Sequence, residues 1–279
     1  MCIIDEKDGM HMKSVGVLGS KDTFSYLCYE RFEKYILHPL HPIFYESMHD
    51  LFKHIYEVDY VILPFENTLE GYVQQHMDLI LKHDLVGIAE IKIPIIFDYV
   101  HHETVKTLYV QYAAKNQCLS FIENLNDIHV VVTDSNHESL KRYQKDLCSG
   151  AIIPHHVSEG YEHVIHDVAD EASNQTRFLI LSHRQERIIP SIEMKMSFVI
   201  TPYNDRPGLL YGILKEFAAE NINLISIMSR PTKKQLGTYH FFLELMIEES
   251  QHKQIDIIID QIKKDFEVKI LGIYPVLND

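Results

Sequence analysis

A chain of 279 residues, 46% of them hydrophobic, carries enough apolar material for one large domain or two ordinary ones, and it excludes a disordered polypeptide. Its formal charge of −14 repels polyanions, so nucleic acid is not an expected partner, and no apolar run approaches the roughly 18 residues of a membrane span. The acidic, polar start from Met1 to Met12 is unlike a secretory signal, pointing to a cytoplasmic protein; Cys2, Cys28, Cys118 and Cys148 lack CxxC spacing and are expected as free thiols.

In chain order, 14–18 reads as a strand. The segment Gly19-Ser20-Lys21-Asp22-Thr23-Phe24-Ser25 then leads into a helix whose apolar face is Phe24, Leu27, Cys28, Phe32 and Tyr35. Ser47 suits the cap of a helix running to about Tyr56, and 59–63 reads as a buried strand ended by Pro64. The polar set Glu66-Asn67-Thr68 is thereby displayed at the carboxyl end of a strand, where open α/β sheets place their ligands, and Gly71 permits a sharp turn. Asn67 or Thr68 also suits the cap of a helix over 72–82, with Val73, Met77, Ile80 and Leu81 apolar; both readings can hold together.

Strand-rich sequence over 86–97 is followed by a second set: strand 105–110, helix 113–123, strand 128–133, helix 138–145 and short strands near Ala151 and Val164. The histidine pairs His101-His102 and His155-His156 lie in polar, loop-like sequence without an HExxH pattern, so solvated surface histidines and no metal are expected. Next comes Ser173-Asn174-Gln175-Thr176-Arg177-Phe178, ahead of the apolar run Leu179-Ile180-Leu181. A hydroxyl that can pass a proton, a guanidinium that fits a carboxylate and an aromatic ring stand at the mouth of a strand. Such alternation implies parallel sheets covered by helices.

After a linker at Ile188-Ile189-Pro190-Ser191 the pattern becomes strand 196–201, helix 207–220, strand 222–229, strand 239–247, helix 251–265 and strand 268–274. That order is βαββαβ, the ferredoxin-like motif. Pro207 suits the first turn of its helix and Asp205 the cap.

Taken together, the segments at Gly19, Glu66 and Thr176 resemble the prephenate dehydratase family. Asn204-Asp205-Arg206-Pro207-Gly208-Leu209-Leu210 and Asn223-Leu224-Ile225-Ser226-Ile227-Met228-Ser229-Arg230-Pro231 resemble the two ligand-site motifs of the ACT regulatory domain found at that family's C-terminus. The resemblance implies an α/β fold: a two-lobed dehydratase domain over 13–190, built like periplasmic-binding-protein lobes, then a ferredoxin-like ACT domain over 194–279. Lobe one would be about 13–98 and 170–190, lobe two about 99–169. It further implies conversion of prephenate to phenylpyruvate without a cofactor. Thr176 would assist departure of the ring hydroxyl, Arg177 hold a carboxylate, Phe178 form a wall and Asn67 hydrogen-bond the substrate. Thr23, Ser25, Glu66, Thr68 and Gln117 would complete the substrate site, Glu66 as a brace. L-Phenylalanine would bind between paired ACT domains, against Pro207, Gly208, Leu209 and Leu210 at one end and Asn223 and Leu224 at the other, in a homodimer or homotetramer.

Several positions depart from the family pattern. Ser20 and Asp22 replace a proline and a glycine of the first motif, and a carboxylate there costs dianion binding unless it turns outward or is protonated. Ile96-Phe97-Asp98 stands where a histidine is expected, Val110-Gln111-Tyr112 where a polar Ser-His-Pro is expected, and Met228 where a glutamate is expected. A divergent dehydratase is the favoured reading. The alternatives are a catalytically impaired amino-acid sensor with the same fold and a solute-receptor-like binding protein.

Overall fold

The computed structural model describes residues 12–186, 188, 193–204, 206–232 and 238–277. The linker at Ile189, Pro190 and Ser191 and the proposed cap Asp205 lie outside the described residues.

The chain packs as two compact units. The first runs to His76 and resumes over Lys92–Phe178; the second takes Met77–Ile91 and everything from Leu179. The elements in order are β1 (Lys13–Leu18), α1 (Phe24–Glu33), β2 (Leu40–Tyr45), α2 (Met48–Lys53), β3 (Tyr60–Asn67), β4 (Gly71–Tyr72), α3 (Gln74–Lys82) and β5 (Val86–Pro94). Then come β6 (Phe97–His101), β7 (Thr107–Gln111), α4 (Tyr112–Gln117), α5 (Leu119–Glu123), β8 (His129–Thr133), α6 (Asn136–Tyr143), β9 (Ser149–Pro154), β10 (Val164–Ile165) and β11 (Gln175–Ser182). The last six are β12 (Met194–Pro202), α7 (Leu209–Ala219), β13 (Leu224–Pro231), β14 (Tyr239–Ile247), α8 (His252–Ile262) and β15 (Phe266–Leu277).

The first unit holds two sheets, ordered β11-β3-β1-β2, with β4 on the end of β3, and β10-β6-β9-β7-β8. Parallel pairing of β1 with β2 and β3, and of β7 with β8 and β9, follows from the helical crossovers between them. The chain leaves the first sheet at Ile95 and returns at Asn174, and Ile95 N donates to Asn174 O at 2.9 Å, which ties the two crossings together. This is the two-lobed α/β architecture that the family resemblance implies.

Local chemistry explains most elements. Thr23, Ser47 and Ser135 each sit in extended backbone and accept an amide of the first turn of α1, α2 and α6. Where structure and sequence pattern differ, backbone geometry decides. Strand β2 was not foreseen, because Pro39 and Pro42 interrupt its apolar alternation; it survives as an edge strand, where a missing donor is tolerated. Pro64 does not end β3: β1 pairs with 60–62 and β4 with 66–67, so proline occupies the gap between two ladders. Gly71 and Tyr72 form β4 rather than a helix start, since Gly71 takes φ +74° and turns the chain back onto Glu66 and Asn67. The helix expected over 113–123 breaks at Cys118, whose φ of −130° is not helical.

The second unit contains the βαββαβ order as β12-α7-β13-β14-α8-β15, with strands arranged β13-β14-β12-β15 and β5 beside β15. Phe198, Ile213, Phe217, Leu243, Leu245, Ile255 and Ile259 fill its core. Strand β15 carries a bulge against β12 at Ser197/Phe198. There Gly272 has φ +153°, and a Cβ would stand 2.3 Å from the Gly87 carbonyl oxygen, so glycine is required. Helix α7 begins two residues later than expected, because Gly208 takes φ +79° at its N-cap and leaves Pro207 outside the helix.

His76 opens α3 almost fully buried. Its Nδ1 lies 2.5 Å from the Pro64 carbonyl oxygen and donates to it. Desolvation pulls its pKa below the ordinary histidine value, and that hydrogen bond offsets only part of the shift. Below about pH 6.5 the unfolded chain therefore binds a proton that the folded chain resists, so folding stability declines as the solution is acidified. His76→Gln should flatten the fall in Tm between about pH 7 and 5.5. An unchanged slope would assign the acid sensitivity to other groups, such as His156, which burial also lowers.

Candidate active site

Three loops converge on one edge of the first sheet. β1 and β3 are parallel, with Val17 opposite Ile62, so Gly19 onward and Glu66–Thr68 leave the same edge. Thr68 N donates to Gln175 O at 2.9 Å and its hydroxyl donates to the same oxygen at 3.1 Å, which fixes the start of β11 beside them.

A chain of side-chain hydrogen bonds crosses this edge. Asn67 Nδ2 donates to Thr176 Oγ1 at 3.0 Å and to Asn174 Oδ1 at 2.9 Å; Asn174 Nδ2 donates to Gln117 Oε1 at 2.9 Å. The other end of the Asn67 amide is also used, its Oδ1 accepting Leu69 N and Glu70 N at 2.9 and 3.2 Å. Asn67 thus caps a turn rather than a helix, and the amide cannot rotate without breaking both sets. Thr176 is 8% exposed and Asn174 2%. With Oγ1 accepting from Asn67, the Thr176 hydroxyl still has its own proton to donate.

Strand alternation divides the predicted residues between two faces. Thr176, Phe178 and Asn67 share one, and Arg177 and Glu66 take the other. Arg177 Nη1 lies 2.5 Å from Glu66 Oε2, and its guanidinium sits over the rings of Phe65 and Tyr72 at 5.8 and 6.0 Å. The structure therefore brings together Asn67, Thr68, Gln117 and Thr176, and pairs Arg177 with Glu66 beside the β3–β4 turn. Phe178 is buried on the Thr176 face. The residue that sequence reading gave no role is Asn174. Its signal was parity, since 174, 176 and 178 alternate onto one face.

Of the first motif, Thr23 spends its hydroxyl locally, accepting Tyr26 N at 3.3 Å and donating to Ser20 O at 2.8 Å. Ser25 is buried in the first turn of α1. Asp22 turns to His137 at the start of α6, Oδ2 to Nδ1 2.5 Å, so its carboxylate is hydrogen-bonded to an imidazole of a distant segment. Gln111, standing where a substrate contact is expected, instead caps α4 through Ala113 N and Ala114 N at 2.9 and 3.1 Å. Cys118, after Gln117, is inert as a nucleophile, its thiol pushed up to about 12 by burial and by Asp170 and Asp167.

In the second unit a cavity of about 230 Å³ lies against Tyr203, Asn204, Arg206, Leu209, Lys264 and Phe266. A smaller one of about 60 Å³ lies against Pro202, Leu209, Thr232 and Tyr239. Leu209 faces both; Leu210 is partly exposed, Asn223 is exposed, and neither Asn223 nor Leu224 lines these cavities. Arg230, from the second motif, is engaged by Asp78 of α3, Nη2 to Oδ2 2.7 Å.

A family model described as prephenate dehydratase matches residues 15–186, and one described as ACT domain matches 203–266. The prephenate dehydratase of Methanocaldococcus jannaschii is 30% identical over 264 residues, covering 92% of this chain and 96% of that protein. The crystal structure of the prephenate dehydratase from Staphylococcus aureus superposes with a TM-score of 0.79 at 28% identity, covering 94% of this chain and 100% of that one. Prephenate dehydratase in complex with L-Phe from Arthrobacter aurescens shares the fold at 23% identity, with a TM-score of 0.76 over 94% of this chain and 90% of that one.

Proposed function

This chain belongs to the prephenate dehydratase family, and on that premise we propose that it converts prephenate to phenylpyruvate as a carbon–oxygen hydro-lyase, with L-phenylalanine as effector of its ACT domain. The carboxylate on the substrate ring departs as carbon dioxide. The electron pair of its C–C bond moves through the ring and expels the hydroxyl at the opposite carbon, which leaves as water once it has received one proton. Aromatisation drives the step, so the enzyme's tasks are orientation, delivery of that proton and exclusion of water.

The observation that carries this reading is the hydrogen-bond chain Gln117–Asn174–Asn67–Thr176 at the sheet edge. It holds a buried hydroxyl as an acceptor of Asn67, which leaves its proton available to a substrate oxygen. A threonine hydroxyl is a weak acid, so Thr176 acts by hydrogen-bonding and relaying to the leaving oxygen. Asn67 orients it, and Phe178 supplies the apolar wall. Thr68 holds the start of β11, and the amino end of α1, capped by Thr23, faces the same edge and suits a substrate carboxylate.

Arg177 acts through Glu66. Glu66→Ala and Arg177→Ala should then lower kcat to a similar extent, and the double variant should be no worse than either single one, a coupling of roughly 0.5–3 kcal/mol. If Arg177 instead held the substrate carboxylate, Arg177→Ala alone would raise KM and Glu66→Ala would spare it.

The direct test is phenylpyruvate formation from prephenate by the purified protein, with and without L-phenylalanine. Turnover that responds to phenylalanine supports both parts of the proposal. No turnover, with phenylalanine still raising Tm, selects the sensor reading instead. Pairing of ACT domains into a homodimer or homotetramer belongs to the same proposal and is read by light scattering.

A further inference from the structure

Asp98, at the beginning of β6, is fully buried, yet it meets two well-exposed imidazoles. Its Oδ2 lies 2.8 Å from His155 Nδ1 and 2.7 Å from His166 Nδ1, and 2.6 Å from the Ser158 hydroxyl; its Oδ1 accepts Asp167 N at 3.0 Å. Burial alone would raise the pKa of this carboxyl, but the donors hold it below the ordinary aspartate value, so it is ionised at neutral pH. Three donors on Oδ2 exceed the two lone-pair sites that one carboxylate oxygen offers.

We propose that Asp98, His155 and His166 form a binding site for one divalent first-row transition ion such as Zn²⁺. One ligand atom from each of the three residues lies within 4.8 Å of the other two. Two imidazoles and one carboxylate on a single centre, with the outer side open to water, form a donor set suited to Zn²⁺ and its neighbours. Bonds of about 2.0–2.1 Å place tetrahedral ligands roughly 3.4 Å apart, so each N···O separation must open by about half an ångström. The rings can follow: His155 is 54% exposed and His166 64%, while Asp98 stays fixed at 0%. An ion replaces both ring protons, and Ser158 and the Asp167 amide remain to orient the carboxylate as an outer shell.

The backbone around the set is already tied. His155 N donates to Ile96 O at 2.9 Å and Val168 N to Phe97 O at 2.8 Å, both just ahead of Asp98. Asp98 lies where the chain enters the second sheet, and His166 where it leaves for the first. A bound ion would clamp the outgoing and returning crossings of the two lobes. The set is invisible to local motifs, because its members lie 57 and 68 residues from Asp98. His155 was expected to be merely solvated; its bond to a buried carboxylate is what distinguishes it from the other surface histidines.

The inference is independent of the dehydratase reading. Untagged protein freed of metal with a chelator should bind one equivalent of Zn²⁺ in calorimetry, with a rise in Tm, and Co²⁺ should give a visible absorption band of a nitrogen-ligated site. His155→Ala and His166→Ala, both at exposed positions, should each weaken binding by about tenfold or more and remove the Co²⁺ band. His163→Ala, at a ring stacked on His101 away from the set, should leave both unchanged. Zn²⁺ binding that persists in the His155→Ala/His166→Ala double variant, or no binding below about 100 μM in the parent, would overturn the site.

Discussion

Replacing Thr176 by alanine is expected to lower kcat for prephenate by roughly 10²–10⁴-fold, the range for loss of a positioned proton-transfer group. KM should change less, since the side chain's proposed work is done on the leaving oxygen. The fold should tolerate the change. Asn67 Nδ2 keeps Asn174 Oδ1 at 2.9 Å and the Gln175 carbonyl at 3.3 Å as acceptors, so no buried donor is orphaned and the cost in stability is about 1 kcal/mol. Thr176→Ser, which keeps the hydroxyl but frees its rotation, should retain activity to within about tenfold. Asn67→Ala is the harsher test of the network, because it removes the donor to Thr176 and the acceptor of the Leu69 and Glu70 amides together, and should lower both kcat and Tm. Thr176→Ala turning over within about threefold of the parent would remove the hydroxyl from the mechanism.

Much of this arrangement is legible in the sequence, for identifiable reasons. Ser47 caps its helix as expected because an N-cap is a local device, decided by one side chain and the amides three residues on. The βαββαβ order after Met194 is legible because its periodicities switch cleanly from 2 to 3.6 and back. The missed elements are those that depend on distant partners. β2 is held by its ladder to β1, and β4 by a turn that folds Gly71 onto Asn67. The same holds for the site. Thr176 and Arg177 are adjacent in sequence, but strand alternation pairs Arg177 with Glu66 and Thr176 with Asn67, partners that no local pattern names. Asp22 departs from the family pattern, and its partner His137 is 115 residues away, beyond any local signal. The same distance in sequence hides Asp98 and its two histidines.

The second large effect is expected at a buried ion pair in the other unit. Lys195 Nζ reaches both oxygens of Glu90, at 2.6 and 2.8 Å, with the two residues 5% and 0% exposed. The pair joins β12 to β5 through side chains, where their neighbours Met196 and Ile91 are buried and apolar. Desolvating both charges costs much of what their attraction returns, so the intact pair adds little net stability; removing one member is different, because the other stays in the interior having lost this ion pair. Lys195→Met should therefore destabilise by about 3–5 kcal/mol, a fall in Tm of roughly 10–30 °C for a unit of this size. The double variant Lys195→Met/Glu90→Leu should recover most of that loss, since two apolar side chains of similar volume need no compensation. A fall of less than about 3 °C in the single variant would mean that water or a rearranged neighbour reaches Glu90 and that the interior here is wetter than its packing implies. Thr176 lies in the first unit and outside this network, so residual folded protein carrying Lys195→Met should keep its kcat, which separates a stability defect from a catalytic one.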